Sequence, residues 1–432
     1  MIQTYGEPHW QNVNNIFRVE GLDAFSFSEM DKKVLEVALK KCASESSIKH
    51  IIDIKLESAL PKGENYTSTI FRAKLKVVLG SGRVTTKSYI LKKETVEEGT
   101  DKTFKDYNFT NAEISVYLKV LQQMDYLMEE FGDTEGPLWC KLIHFSQADS
   151  TFILEDLKAS GFSTVKRTEL QDIEHARLAL RSLGRFHAMA KVLEGRGHIS
   201  KDDYKPWPFL YDEEFYRAIV FGGVKALVKG MRDTWGEDWA ETADLLGQIT
   251  FEEFVRRMKN CANFGKDIFR CLNHGDCWNN NMMFKHNWEG KPIEIRFIDF
   301  QLPHYDSPCL DLIYYIYTSI KPDLRRQNYK SLIKFYHDSL TSSLDRFGFQ
   351  GSKPSLNEIE ENMERLSFCI LAIFASGHAI DSSKTDNAMD ITKIFETKGE
   401  EGFNLSIFSE PGIKEKIADD LKTLVKKIQE KV

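Results

Sequence analysis

The chain is sparing with the residues that break regular structure: 11 prolines and 26 glycines in 432 positions. That scarcity excludes wholesale disorder and fibrous repeats. Its seven cysteines are an odd number scattered along the chain, which excludes a disulfide framework and suits a reducing compartment, so the expected location is the cytoplasm. The Asn-x-Ser/Thr triplets at Asn65, Asn108 and Asn404 then carry no meaning for glycosylation. An excess of positive charge is missing as well. The 58 basic residues against 65 acidic ones leave a net charge of −7, which argues against nucleic acid or a membrane surface as partner. Long hydrophobic runs are also lacking. The longest, Leu366 to Ile380, is interrupted by Ser367, Ser376, Gly377 and His378, falls short of the roughly 20 residues that span a bilayer, and reads as a buried core helix. Met1 to Phe17, with Glu7 and His9, shows no basic cluster followed by an apolar run and so does not read as a secretory signal. What remains is a folded, soluble protein, 42% hydrophobic and 28% charged, long enough for about three domains or one two-lobed enzyme with insertions.

Two regimes of periodicity divide the chain. Asp31 to Cys42 reads as a helix. Between Tyr66 and Leu79, Phe71, Ala73, Leu75, Val77 and Leu79 alternate with Arg72, Lys74 and Lys76, the period of a half-buried strand. Gly80-Ser81-Gly82 turns the chain into a second β-rich run, Val84 to Lys93, which predicts a hairpin. Ala112 to Leu127 carries apolar residues at spacings of three and four and predicts an amphipathic helix with Glu113 near its start. Thr151 to Leu154 is a further strand running into Glu155-Asp156-Leu157. After Gly161 the pattern turns helical, first over Glu169 to Val192, and two short β-like runs, Phe269 to Leu272 and Ile293 to Ile298, interrupt it. The expected boundary therefore falls at 155/156, with a β-rich first part, 1–155, and a mainly helical second part, 156–432.

The most unusual segment is Leu272-Asn273-His274-Gly275-Asp276-Cys277-Trp278-Asn279-Asn280-Asn281, followed by Ile298-Asp299-Phe300-Gln301. His-x-Asp-x-x-x-x-Asn is the spacing of a phosphoryl-transfer loop: an Asp to orient and deprotonate an attacking hydroxyl, and an Asn five residues on to offer a neutral oxygen to Mg²⁺. Asp299 then supplies a carboxylate. Magnesium takes oxygen ligands and keeps waters, so one Asn, one Asp and the phosphates of a nucleotide suffice to hold it. The competing explanation is a polar turn, since Gly, Asp and Asn are ordinary turn residues. A zinc site at Cys271-x-x-His274-x-x-Cys277 lacks the usual four ligands.

His274 to Phe284, Phe297 to Tyr305 and Pro308 to Tyr315 resemble the ecdysteroid kinase-like family of arthropods, within the choline kinase-like and aminoglycoside phosphotransferase group. The resemblance covers roughly Leu56 to Ile380. It implies an α+β, two-lobed protein kinase-like fold with a nucleotide-binding N-lobe and a helical C-lobe, ATP and Mg²⁺ as cofactors, and a small-molecule alcohol, steroid-like in the characterised case, as acceptor. By the same resemblance Asp276 is the catalytic base, Asn281 and Asp299 are the Mg²⁺ ligands, His274 supports the loop and Asp311 braces it. Lys92 matches the lysine that contacts the α- and β-phosphates, and Glu113 the glutamate that pairs with it. Gly63, Asn65 and Tyr66 lie in the matching phosphate-covering turn, and the backbone of Glu155 and Leu157 in the hinge that meets adenine. Asp311 also stands out by itself, because a carboxylate in an apolar run needs a hydrogen-bonding partner. Cys277 and Asn279 depart from the family's usual residues without removing a catalytic atom. His187 reads as a satisfied core histidine.

An aromatic-rich stretch precedes the loop: Tyr204, Trp207, Phe209, Tyr211, Phe215, Tyr216, Phe221, Trp235 and Trp239. It could line an apolar acceptor pocket or simply pack helices. With Glu213, Glu214, Glu237 and Asp238 close by in sequence, it could also cage a quaternary ammonium. The expected protein is thus a monomeric, ATP- and Mg²⁺-dependent kinase of an apolar alcohol, with an ecdysteroid as the acceptor the resemblance favours. Its rivals are a choline, ethanolamine or xenobiotic kinase and a non-catalytic pseudokinase.

Overall fold

The computed structural model describes residues 29–59, 68–94, 109–147, 150–378, 388–410 and 412–430. Helix α1 (Glu29–Lys41) leads into β1 (Ile48–Ser58). The predicted alternation forms β2 (Ser68–Leu79), where Ala73, Leu75 and Val77 are fully buried while Lys74 and Lys76 face solvent. Gly82, at φ +81°, reverses the chain in a conformation that favours glycine. Strand β3 (Val84–Glu94) then returns antiparallel, from Val78↔Val84 to Ser68↔Glu94. With β4 (Leu142–Ser146) and β5 (Thr151–Glu155) these make a five-stranded antiparallel sheet in the order β1-β2-β3-β5-β4. Leu35, Ala38 and Leu39 of α1 pack on it against Ile51, Leu75 and Val77. The helix expected from Ala112 is α2 (Phe109–Ser115), continued by a π-helical stretch (Val116–Leu121) into α3 (Gln122–Glu130), and its apolar stripe from Ile114 to Leu127 is buried.

Beyond Glu155 the chain is mostly helical. After β6 (Phe162–Ser163) come α4 (Ile173–Gly195), α5 (Gly222–Thr234) and α6 (Phe251–Ala262). Short strands follow: β7 (Cys271–Asn273), β8 (Met282–His286), β9 (Pro292–Phe297) and β10 (His304–Asp306). Then come α7 (Cys309–Ser319), α8 (Pro322–Arg346), α9 (Leu356–Arg365) and α10 (Ile413–Glu430). Strands β6, β8 and β9 form one antiparallel sheet, and β7 pairs with β10. The architecture is α+β, an antiparallel sheet followed by a helical body, in the expected two-lobed kinase-like arrangement. The apolar run at 366–375 is buried helix, as its length implied. Among the described residues no helix is long and apolar enough to cross a membrane.

Helix α4 starts four residues later than its periodicity suggested. Leu170 sits at φ +57°, and Gln171 joins Ile320 instead, its N–H donating to the Ser319 carbonyl at 2.8 Å while its own carbonyl accepts from Lys321 N–H at 3.1 Å. Asp172 then caps the helix, accepting from the backbone N–H of Glu174 and His175, both at 3.1 Å.

Candidate active site

Strand β7 delivers its last residue, Asn273, to the start of the 274–281 loop, and β8 leads away from it, so the loop is held at both ends by sheet. Gly275 takes φ +84°, and a Cβ there would lie 1.7 Å from the Leu302 carbonyl oxygen; only glycine fits. His274 is buried and neutral in role: Nδ1 accepts from the Asp276 amide at 3.3 Å and Nε2 donates to the Ile298 carbonyl at 3.1 Å. Burial lowers its pKa below the ordinary value. With both nitrogens engaged, it has none to offer a metal between Cys271 and Cys277.

Asp311, in the first turn of α7, lies beneath the loop at 1% exposure. Its Oδ2 accepts from His274 N–H at 2.7 Å and its Oδ1 from Gly275 N–H at 2.9 Å. His187 Nε2 meets the same carboxylate at 3.2 Å, and His187 Nδ1 meets the Tyr336 hydroxyl at 2.8 Å. Asp311 is thus the bonded partner that its apolar surroundings demanded, and His187 is satisfied on both sides.

The carboxylate of Asp276 accepts from Asn281 Nδ2 at 2.8 Å and from the Tyr314 hydroxyl at 3.4 Å. Burial first, and then the charge of Asp299, push its pKa up to about 7. Asn281 uses Nδ2 on Asp276 twice, since it also donates to the Asp276 carbonyl at 2.9 Å, and this directs Oδ1 elsewhere. The Asn281 carbonyl accepts from Ile298 N–H at 3.0 Å, which places Asp299 alongside. Asn279 points away: Nδ2 donates to Val165 O at 2.7 Å and Oδ1 accepts from Gln171 at 3.1 Å. Asn281, rather than Asn279, therefore shares the site with Asp276.

Asp299 adopts φ +67°, a left-handed conformation that Asp tolerates better than most side chains. Phe300 behind it is fully buried against His274 (centroids 4.5 Å) and Tyr117 (5.9 Å). Lys92, on β3, donates to Glu113 Oε2 of α2 at 2.6 Å and also to Asp299 Oδ1. Burial alone would lower the Lys92 pKa, but the charges of Asp299 and Glu113 outweigh it and raise the value. Glu113 is pushed up to about 7 by burial, against the pull of Lys92, because one ammonium serves two carboxylates. The structure thus gathers Lys92, Glu113, Asp299, Asn281, Asp276, His274 and Asp311 around one centre. Asn281 Oδ1 and the Asp299 carboxylate are hard oxygen donors on neighbouring backbone, the donor set that Mg²⁺ takes.

Where the hinge is expected, Glu155 ends β5 and pairs with Tyr89, and Leu157 is buried. Between them Asp156, which sequence reasoning did not single out, accepts from Arg72 Nε at 2.7 Å and from Ser88 Oγ at 2.6 Å. Gly63, Asn65 and Tyr66 lie outside the described residues.

Asp276 forms the polar end of a cavity of about 190 Å³. Of the aromatic stretch only Trp207, Phe209 and Phe215 line it; Tyr216, Phe221, Trp235 and Trp239 pack in the core. Trp278, Tyr314 and Ile373 are among the further residues of the wall, and sequence reasoning did not assign them to it. Tyr314 was findable, since it sits one helical turn after Asp311 on the same face. Glu213, Glu214, Glu237 and Asp238 are exposed and none lines the cavity.

A two-lobed fold with this polar centre against an apolar cavity defines a small-molecule kinase-like protein. The model of the ecdysteroid kinase-like family matches residues 62–349, and the chain belongs to that family. Comparison with curated proteins gives no match.

Proposed function

We propose that this chain transfers the γ-phosphate of ATP to a hydroxyl of an uncharged, largely apolar alcohol, with an ecdysteroid as the acceptor. The observation that carries the acceptor class is the cavity's lining: among the described residues Asp276 is its one carboxylate and none is basic. A quaternary ammonium would call for a second carboxylate along the wall, and the acidic residues nearby in sequence are elsewhere. An apolar alcohol can bury its skeleton against Trp207, Phe209 and Ile373 and turn a hydroxyl to Asp276.

Asp276 accepts the hydrogen bond of that hydroxyl and takes its proton as the oxygen–phosphorus bond forms and ADP leaves with the bridging electron pair. A carboxyl whose pKa lies near neutrality is suited to this task. Asn281 Oδ1 and Asp299 would hold Mg²⁺, which when bound neutralises charge on the phosphates. Lys92, oriented by Glu113, would meet the α- and β-phosphates. Asp311 and His274 keep the loop in place, and the backbone of Glu155 and Leu157 would meet adenine. The nucleotide-binding part is taken as 1–155 and the acceptor-binding part as 156–432. The seven cysteines, of which Cys42 alone is not buried, form no disulfide, which fits the cytoplasm, and the protein is taken as a monomer.

Product mass spectrometry tests this reading. Purified protein with Mg-ATP is offered ecdysteroids, choline, ethanolamine and phenolic or glycosidic alcohols, beside Asp276→Asn. One phosphate is expected on a steroid, with the variant slower by about 10² to 10⁴. Phosphorylation of choline without the steroid overturns the acceptor class. ATP binding with no product from any of these alcohols overturns the steroid assignment and leaves a xenobiotic acceptor outside the panel or a non-catalytic nucleotide binder.

A further inference from the structure

The wall of the acceptor cavity and the Asp276 loop are joined by hydrogen bonds. The Trp207 indole is buried, and its Nε1–H donates to the carbonyl of Gly275 at 2.8 Å, in the peptide that leads into Asp276. Its ring stacks on His304, with centroids 5.4 Å apart and planes inclined by 25°, and meets Tyr314 edge-on at 6.0 Å. Tyr314 in turn donates to Asp276 Oδ1 at 3.4 Å. Trp207, Tyr314 and Trp278 all line the cavity.

Gly275 has no side chain with which to anchor itself, and its φ of +84° admits none. Its position is therefore set through its backbone polar groups. The N–H is held from below by Asp311 at 2.9 Å, and the carbonyl is held from the cavity side by Trp207. A surface that packs against the acceptor's apolar skeleton thus also grips the peptide preceding the proposed base.

We infer that Trp207 is a positioning residue, one that converts contact with the acceptor's non-reacting face into correct placement of Asp276, while Tyr314 holds the carboxylate from the same wall. The inference rests on the phosphotransfer reading above. Its consequence is that binding energy from a part of the acceptor remote from the hydroxyl is expressed in kcat as well as in KM.

The decisive substitution keeps the ring and removes the donor. Replacing Trp207 by β-(3-benzothienyl)alanine exchanges the N–H for sulfur at nearly constant shape, and Trp207→Phe is the simpler companion. With the acceptor that the unaltered protein phosphorylates, the isostere is expected to lower kcat about tenfold, the loss of one buried hydrogen bond. KM for the acceptor should stay within about twofold, because the apolar wall is retained. Trp207→Phe should lower kcat and raise acceptor KM together; if it fails to fold, the isostere alone decides. An isostere with unchanged kcat overturns the inference and leaves the phosphotransfer reading standing, as does a change confined to KM. Absence of any phosphorylated product from the unaltered protein overturns both.

Discussion

Asp311 shows how much one buried carboxylate can organise. It sits at 1% exposure with two backbone amides and His187 on its oxygens. Burial works to raise its pKa, but the hydrogen bond from His187 and the imidazoles of His187, His304 and His274 around it hold it below the ordinary carboxylate value. A depressed folded-state pKa contributes stability that is present above the unfolded value of about 3.9 and is lost as pH falls through the folded one. Asp311→Asn places an amide N–H₂ against one of two backbone donors, and we expect it to cost about 1–3 kcal/mol at pH 7. Urea midpoints measured from pH 7 down to pH 3 should show the gap between the two proteins narrowing below about pH 4; a gap that stays constant to pH 3 would sink this account. His274 and His304 are also depressed, by burial first. Their share has the same sign in a higher window: the unaltered protein should begin to lose stability as pH falls below about 6.5.

Among the elements, the closest approach that matters to the site is between α4 and α8. A Cβ on Gly184 would meet Leu340 N at 2.9 Å and Ser339 Cβ at 3.0 Å, so the missing side chain sets the spacing of the two helices. One turn along α4 stands His187, and one turn back along α8 stands Tyr336, bonded at 2.8 Å. Gly184→Val should therefore wedge the helices apart, destabilise the protein by about 1–3 kcal/mol, and loosen the support of Asp311 enough to lower turnover. Denaturant unfolding and initial rates check this, and a variant as stable and active as the parent would refute it. The crossing could not be read from the sequence, where Gly184 is only a mild break in a helical stripe. The β2–β3 hairpin could, because β2 alternates in period two, β3 is rich in β-forming residues, and Gly80-Ser81-Gly82 marks the turn between them. Strand β1 could not: its register shifts between Ile48 and His50 and between Ile51 and Asp53 break the alternation. The start of α4 was misplaced because Gln171 obeys a long-range pairing with Ile320 that local periodicity does not encode. At the site, the loop residues 274–281 and Asp299 were legible through spacing alone. Most of the cavity wall was not, since Met258, Tyr314 and Ile373 meet there from separate helices.

At the scale of the whole molecule, three of the ties between the first part of the chain and the rest lie around the site and its approach. Lys92 of β3 reaches Asp299 beyond β9. The Leu138 carbonyl accepts from Phe297 N–H at 2.6 Å. The third tie is Asp156, just past β5, which is 3% exposed and held by Arg72 of β2 and Ser88 of β3. Arg72 and Asp156 are 84 residues apart, so no local pattern announces the pair. Its place, between the two residues whose backbone is proposed to meet adenine, gives it a consequence for ATP that the acceptor side does not share. The Arg72 and Ser88 bonds hold the Asp156 pKa below the ordinary value although burial opposes them, so the carboxylate is charged at neutral pH. Asp156→Asn keeps the shape and removes the charge. Losing a charge-assisted hydrogen bond in the hinge should raise KM for ATP about tenfold, while KM for the acceptor, whose cavity lies beyond Asp276, stays close to that of the parent. Arg72→Lys, which keeps the charge but loses the planar guanidinium fork, should fall between the two. Steady-state kinetics with each substrate varied in turn separate the possibilities. Equal changes in both KM values would mean that the hinge clamp acts through general loosening of the fold, and an unchanged KM for ATP would mean that the hinge backbone keeps its place without Asp156.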